Sequence, residues 1–393
     1  MATEYHHGAR TDEVNGTSLS VKLISTAIIG LVATGEDADA TTFPLNTAVL
    51  VTNAKSLLGK AGTKGTLGQS LLQISNLVTC PIVVVRVTEG ADDAQTSVNV
   101  IGTVTADGVY TGLQAMLTAQ SRLGVQPRIL GCPGLDTQEV TAAQAIVAKK
   151  LRAFSYASCA DAATVAECLT YRQQFSQREL MLVWPDFSYF DAVGAKTATA
   201  LTIAIAMGLR AQIDQNVGWH KTISNVPVDG VTGITKDVYF AFQQVGTDAD
   251  LLNAQGITTL INRQGFRFWG SRTCDDSEFI FESYTRTAQV LADSMAEAMF
   301  PYIDQPLSPV LVKDIIDGFN NTGSKLVAAG YLIGFKAFWN PDLNSTDDLK
   351  NGRGVISYKY TPVPPFEDVT LQQEFTDEFF VNLSSAIASQ AAA

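Results

Sequence analysis

The sequence predicts a mixed α/β and α+β architecture: a layered α/β sandwich, then a mixed strand–helix domain, with extended β-strand arms at both ends. Three observations carry this. As far as residue 250, continuous β-branched runs alternate with stretches of helical spacing, the grammar of strands covered by helices on both faces. Beyond residue 250 strand-like segments follow one another directly, and helices come in succession after them. Residues 5–21 and 364–383 read as strands with no evident partner of their own, which suggests a subunit that links to copies of itself. The expected divisions are an N-terminal linking arm (1–20), an α/β region (21–250, its outer part at about 88–225), an inner strand–helix domain (251–362) and a C-terminal linking arm (363–393).

Taken in order, residues 26–34 (TAIIGLVAT), 48–52 (AVLVT) and 82–87 (IVVVRV) read as buried strands. Between the last two, Leu67, Leu71, Ile74 and Leu77 recur at helical intervals, so 66–77 is an expected crossover helix and its flanking strands are expected to be parallel. Residues 88–107 are polar and read as a surface excursion with one strand-like piece, 97–104. Alternation then resumes: helix 112–123, strand 127–131, a helix capped by Asp136 or Thr137 and running through Arg152, strand 153–158, helix 162–175, strand 180–184 and a long apolar helix, 195–217. After 250, segments 261–273 and 278–284 look like antiparallel strands and 287–303 an amphipathic helix. Two further helices, 308–319 and 324–337, are expected either side of the turn-rich Asn320-Asn321-Thr322-Gly323, followed by a strand at 354–360. In the arms, Gly8, Arg10, Asp12 and Val14 and, at the other end, Phe375, Phe379, Val381 and Leu383 are the expected inter-subunit strand residues. Gly16, Pro362, Pro364 and Pro365 are the expected hinges, because glycine permits unusual backbone angles and the prolines form a stiff, unpaired spacer.

Composition narrows the function. With 393 residues, 46% of them hydrophobic and 17% charged, the chain can bury a sizeable core. A formal net charge of -12 argues against nucleic acid as a partner, which would call for a basic footprint. The apolar run 27–33 is far too short to cross a bilayer, and the opening MATEYHHGAR has no apolar signal core. The five cysteines are irregularly spaced and form no C-x-x-C, so they read as reduced thiols of a protein made in a cytoplasm.

The search for chemistry is nearly empty. Gly59–Gly65 follows a strand and opens a helix, the setting of a phosphate loop, but no Lys-Ser or Lys-Thr closes G-x-x-x-x-G-K-[ST]; a connector is the better reading. Of three histidines, adjacent His6 and His7 would point to opposite faces of a strand and cannot converge on one metal, and His220 reads as a core or interface imidazole. No cofactor or metal is implied. Asp161 and Asp186 each follow a predicted strand, where α/β enzymes place acids; they carry the alternative reading, an enzyme, although aspartates there more often make caps or turns.

The chain resembles the contractile tail sheath proteins of the compact myophage and R-type pyocin kind. The likeness lies in the opening YHHGARTDEVNGTSLSV followed by STAIIGLVATGEDADATTFPLNTAVLVTN, and in INRQGFRFWGSRTCDDSEFIFESYTRT, where Gly265, Arg267, Trp269, Gly270, Arg272 and Thr273 make the pattern G-x-R-x-W-G-x-R-T. The resemblance implies a structural protein with no catalytic residues, part of a phage tail or phage-tail-like particle assembled in the host cytoplasm. It implies hexameric rings stacked as a six-start helix around a tail tube, arms that add strands to neighbouring subunits, and contraction that drives the tube through an envelope. Implied partners are the subunit itself, the tail tube protein, the baseplate and the tail terminator, without direct membrane insertion. The family's tube-contacting helix would map to 309–337, with Lys313 and Lys325 as tube-facing residues and Asp314 and Asp317 diluting their charge.

Overall fold

The computed structural model describes residues 21–191 and 194–391. Gly8, Arg10, Asp12, Val14 and Gly16 lie outside the described residues, as do His6 and His7.

The first part of the chain comprises β1 (Ile29–Thr34), β2 (Ala48–Val51), α1 (Ala54–Leu57), α2 (Leu67–Leu77), β3 (Ile82–Val87), α3 (Asp93–Ile101), α4 (Ala119–Leu123) and β4 (Ile129–Gly131). Next come α5 (Gln138–Leu151), β5 (Phe154–Ser158), α6 (Val165–Arg172), β6 (Leu180–Val183), β7 (Phe187–Asp191), β8 (Lys196–Thr199), α7 (Thr202–Asn216) and β9 (Gly233–Ile234). The last part holds α8 (Asp248–Ala254), β10 (Ile257–Asn262), β11 (Phe266–Trp269), α9 (Glu282–Met299), α10 (Pro309–Ala328), β12 (Leu332–Trp339), α11 (Thr346–Lys350), β13 (Ile356–Pro362) and α12 (Glu378–Ala391).

Eight strands form the central sheet in the order β11-β10-β6-β5-β4-β1-β3-β2. The β1–β3 pair is parallel from Ile29 opposite Ile82 to Thr34 opposite Val87, and every residue of both strands is buried. Their side chains divide by the two-residue period. Ile29, Leu31, Ile82 and Val84 join α2 and α7 in one core, and Val32, Val83 and Val85 join α3 and α5 in another on the opposite face. Each such aliphatic side chain, fully buried, contributes about 1.5–3 kcal/mol. The region is a mixed α/β one, as expected, with helices packed on both faces of its sheet.

Several expectations are corrected. The parallel partner of β3 is β1; β2 is the edge strand and runs antiparallel, Ala48 opposite Val85. Residues 97–104 are not a strand, because Asp92 accepts from Gln95 N at 2.7 Å and caps a helix that buries Ser97 and Val100, three residues apart. The segment 112–123 starts as a 3-10 turn (Gly112–Thr118) before α4. Thr137 is the N-cap residue of α5, and the Asp136 carboxylate instead accepts from the backbone N–H of Ser158. The long helix expected at 195–217 begins only at Thr202; before it, β8 pairs with β7, and β9 completes a three-stranded sheet. The central sheet runs past residue 250, since β10 lies parallel to β6 and carries β11 as an antiparallel edge. Residues 278–284 do not form a strand: one bridge, Arg272 to Phe281, precedes α9, which starts at Glu282.

The C-terminal region departs most. In place of two helices broken at 320–323 there is one helix, α10, followed by β12, which pairs antiparallel with β13. Asn320 and Gly323 serve packing, not a turn. The Asn320 side chain donates to Ala337 O (3.0 Å) and accepts from Ala337 N (2.8 Å), and a Cβ on Gly323 would lie 2.1 Å from the Phe335 ring. Pro362 closes the β13 ladder opposite Leu332 and so is paired, whereas Pro364 and Pro365 lie outside any strand. The arm is no strand at 378–383: α12 takes in Phe379, Val381 and Leu383, and Phe375 precedes it in an unpaired stretch. The physical reason is that a chain end with no ladder beside it must satisfy its own backbone groups, and apolar residues at 379, 380, 383 and 387 also fit helical spacing.

Candidate assembly surface

Two buried charge clusters hold the C-terminal elements to the sheet. Arg210 and Asp214 on α7 meet Glu282 and Arg286 on α9, and all four side chains are almost fully buried. Arg210 reaches Asp214 at 2.8 Å and Glu282 at 3.1 Å, Arg286 bonds Asp214, and the Tyr156 hydroxyl on β5 donates to Glu282. Burial disfavours the Arg210 charge, but the carboxylates of Asp214 and Glu282 outweigh it and raise its pKa. Further along α9, Asp293 accepts from Arg128 and Arg152, and Gln289 donates to Ala153 O at 3.0 Å. These contacts place α9 across the amino ends of β4 and β5.

On the far side of α9, a third core joins Val290, Leu291 and Met295 to Ile315, Phe319 and Leu326 of α10. The ribbon β12–β13 lies on it, with the Phe335 and Tyr358 rings stacked at 5.6 Å. Among the described residues the ribbon has two strands only, so each has an edge with no ladder partner. Its outer face carries Lys336 and Lys359, both exposed and directly opposite each other in the ladder.

The chain beyond β13 covers little of this surface. It is tied at the root, where Arg272 of the G-x-R-x-W-G-x-R-T pattern makes a two-pronged bond to Glu367 (2.8 and 3.0 Å) that raises the arginine's pKa. Past that point Leu371 and Phe375 are 87% and 85% exposed, and Phe379, Phe380, Leu383 and Ile387 are exposed as well. No cation follows Lys359, and Glu367, Asp368, Glu374, Asp377 and Glu378 make the segment beyond Pro365 acidic. The expected tube-facing residues are both exposed on α10; Lys313 is bonded to Asp317 at 2.7 Å, which raises its pKa, and Lys325 sits in the last turn.

The residues considered for chemistry fall elsewhere. Asp161 and Asp186 do line one cavity of about 190 Å³, together with Ser158, Trp184 and Lys236, at the carboxyl ends of β5 and β6. Chain order reverses between β1 and β4, so this cavity is not at the switch point where ligands bind in open α/β sheets. Asp186 has its pKa raised by burial. The Gly59–Gly65 amides are engaged internally: Thr63 N and Lys64 N donate to the Asp37 carboxylate (2.9–3.0 Å), holding its pKa down to about 2. His220 packs on Tyr331, ring centroids 4.3 Å apart, its pKa lowered by burial and then by Arg210. The cysteines are buried free thiols. No group of three metal-ligating side chains occurs among the described residues, and no helix there is long and apolar enough to cross a membrane.

Sequence reasoning missed the buried cluster, the Arg272–Glu367 tie and the Lys336–Lys359 pair. The first two join residues distant in sequence, so no local signal marks them. The lysines could have been found only with β12 recognised as a strand.

Comparison with known proteins resolves what kind of protein this is. A family profile for the phage tail sheath protein central domain matches residues 108–274, and one for the phage tail sheath C-terminal domain matches 275–376. The tail sheath protein of Escherichia phage P2 is 52% identical over 98% of this chain and 100% of its own length. The major tail sheath protein of Serratia phage KSP20 is 49% identical over 97% of this chain and 98% of its own. In fold, the sheath complex of an extracellular contractile injection system in its contracted state superposes with a TM-score of 0.70 at 15% identity, covering 97% of this chain and 100% of that one. The matched proteins are structural components and not enzymes, and the carboxylate-lined cavity therefore carries no catalytic role. The chain belongs to the phage tail sheath family.

Proposed function

We propose that this subunit polymerises as stacked hexameric rings, wound as a six-start helix around a tail tube, and shortens to drive that tube through a target cell envelope. One observation carries the reading: a C-terminal arm of exposed apolar side chains leaves the same chain that presents a ribbon with, among the described residues, two strands and no further ladder partner. A donor strand and an acceptor edge on one molecule make a head-to-tail contact, and such contacts generate rings or helical polymers. Main-chain hydrogen bonds in a flexible link keep subunits joined while each rotates as a body. The buried clusters on α9 suit that role, because they tie the sheet and the C-terminal elements into one unit.

The tail tube protein, the baseplate and the tail terminator are the proposed partners, and the host cytoplasm, which keeps thiols reduced, the proposed site of assembly. Lys313 and Lys325 on α10 are the proposed tube contacts. Exposed ion pairs are weak, which suits a contact that must break on contraction. The N-terminal segment 1–20 is the proposed second arm, with Gly16 as its hinge. Electron microscopy of the purified full-length protein tests the reading. Hollow tubes or rings are expected, and Leu371→Pro should abolish them while leaving circular dichroism unchanged; a parent protein that stays monomeric at high concentration overturns it.

A further inference from the structure

We propose that Arg272 is the positioning residue of the C-terminal arm: its ion pair with Glu367 latches the root of the arm to the rigid body and moves the working hinge outward, past residue 367. The consequence for assembly rests on the reading of the arm as a link between copies, but the latch itself lies within one subunit. It gives a role to the G-x-R-x-W-G-x-R-T segment that the central sheet alone does not explain. Trp269 is the last residue of β11 and pairs with Thr259. Gly270 follows at φ +138°, and a Cβ there would lie 2.9 Å from the Thr258 Cα, so only glycine makes this turn without strain. The turn carries the chain off the sheet toward α9: Glu282 N donates to Ser271 O at 2.9 Å, and Thr273 N to Ile280 O at 2.8 Å.

Arg272 therefore stands between two fixed backbone bonds, where the sheet meets the helix whose Glu282 enters the buried ion cluster. Its guanidinium lies over the Phe281 ring, 5.8 Å from the centroid, and its Nε and Nη2 donate to the two Glu367 oxygens at 3.0 and 2.8 Å. A planar fork on a carboxylate fixes direction as well as distance. Pro362 is held in the β13 ladder and Glu367 by Arg272, so residues 363–366 are tethered at both ends. Pro364 and Pro365 fall inside that span, where their fixed φ makes it a strut and not the moving joint. With the latch closed the arm swings from residue 368 onward; with it open the swing begins at 363. The two side chains are 37% and 33% exposed, so the pair is weak enough to open and is weakened further by salt.

The test is a nitroxide label on Val369→Cys in the full-length protein, read by electron paramagnetic resonance at a protein concentration below that of assembly. The natural cysteines are buried and leave the new thiol as the reactive one. The label should move slowly at low salt and fast at high salt. Arg272→Gln and Glu367→Gln should each make it fast at low salt and insensitive to further salt, and Arg272→Glu with Glu367→Arg should make it slow again, a rescue that a merely structural arginine would not give. Glu367→Gln lies in the exposed segment and keeps the test valid should Arg272→Gln fail to fold. In sedimentation of the unlabelled proteins, each single variant should raise the concentration needed for polymer by up to about fivefold at low salt, and the swap should reverse the rise. A fast label in the parent, or a slow one in both single variants, overturns the latch. Released labels with an unchanged polymer threshold overturn the positioning role in assembly. A latch that behaves as expected in a parent protein that never polymerises overturns arm exchange and leaves the latch standing.

Discussion

Every residue of β1 and β3 is buried, with helices over both faces and neighbours along both edges. In the ribbon, only Leu332 and Ala337 of β12 are buried, and no residue of β13 is. Both regions are largely apolar, aliphatic in β1 and β3 and rich in aromatic rings in the ribbon, so apolar content alone does not separate them. What separates them is completeness. β1 and β3 have a ladder on each side, whereas among the described residues the ribbon ends at two strands and the arm next to it carries apolar side chains in solvent. A rigid, finished body and an unfinished edge are the two things a subunit needs if it is to move relative to its neighbours without letting go of them.

The contrast can be broken most severely at the charge cluster. Arg210→Met leaves Asp214 and Glu282 buried without their shared cation, and about 3–5 kcal/mol of subunit stability should be lost, read by denaturant unfolding. The next effect comes from pH. Burial raises the Asp136 pKa to about 6, above the usual carboxylate value. A raised folded-state value means that its contribution is fully present below about pH 4 and is lost as pH rises through about 6, by roughly 2–3 kcal/mol. Asp136→Asn, whose side-chain oxygen can still accept from Ser158, should flatten that slope in unfolding curves between pH 4 and 6.

Within the C-terminal region, Gly323→Val would drive its side chain into the Phe335 ring and should cost about 1–3 kcal/mol. That loss should appear as earlier amide exchange in β12 and β13 while the central sheet stays protected. The smallest effects on the subunit itself belong to its open surface. Leu371→Pro, at an exposed position, should leave the unfolding midpoint unmoved, so any change it makes in assembly reports on contacts between copies. Lys325→Glu should likewise leave the midpoint unmoved and reduce recovery of sheathed tubes; unchanged recovery would remove α10 as the tube-facing element.

The central strands were legible because each carries its signal locally. IVVVRV reads as a strand buried on both faces wherever it lies, and Leu67, Leu71 and Ile74 mark a helix without reference to anything else. The ribbon was not legible for the opposite reason. LIGFKAFW follows a helix with no punctuation beyond Ala329-Gly330, and Asn320-Asn321-Thr322-Gly323 resembles a break until Ala337 and Phe335 are seen packed on it. Likewise Asp161 and Asp186 were correctly read as strand-end acids, and they do share a cavity, yet sharing a cavity says nothing of a reaction. The arm illustrates a third case. Residues 379–383 fit a two-residue period and a helical one equally, and the choice between them depends on whether another strand lies alongside.

Local pattern alone determined the layered sheet, the acidic character of the arm and the absence of any recognisable catalytic motif, because period, charge and spacing are properties of short stretches of chain. Tertiary structure alone decided that α9 is bolted to the sheet by buried ions, that β12 pairs with β13, and that two lysines face each other there. Those facts join residues far apart in sequence, and a contact between distant side chains leaves no trace in the periodicity of either segment.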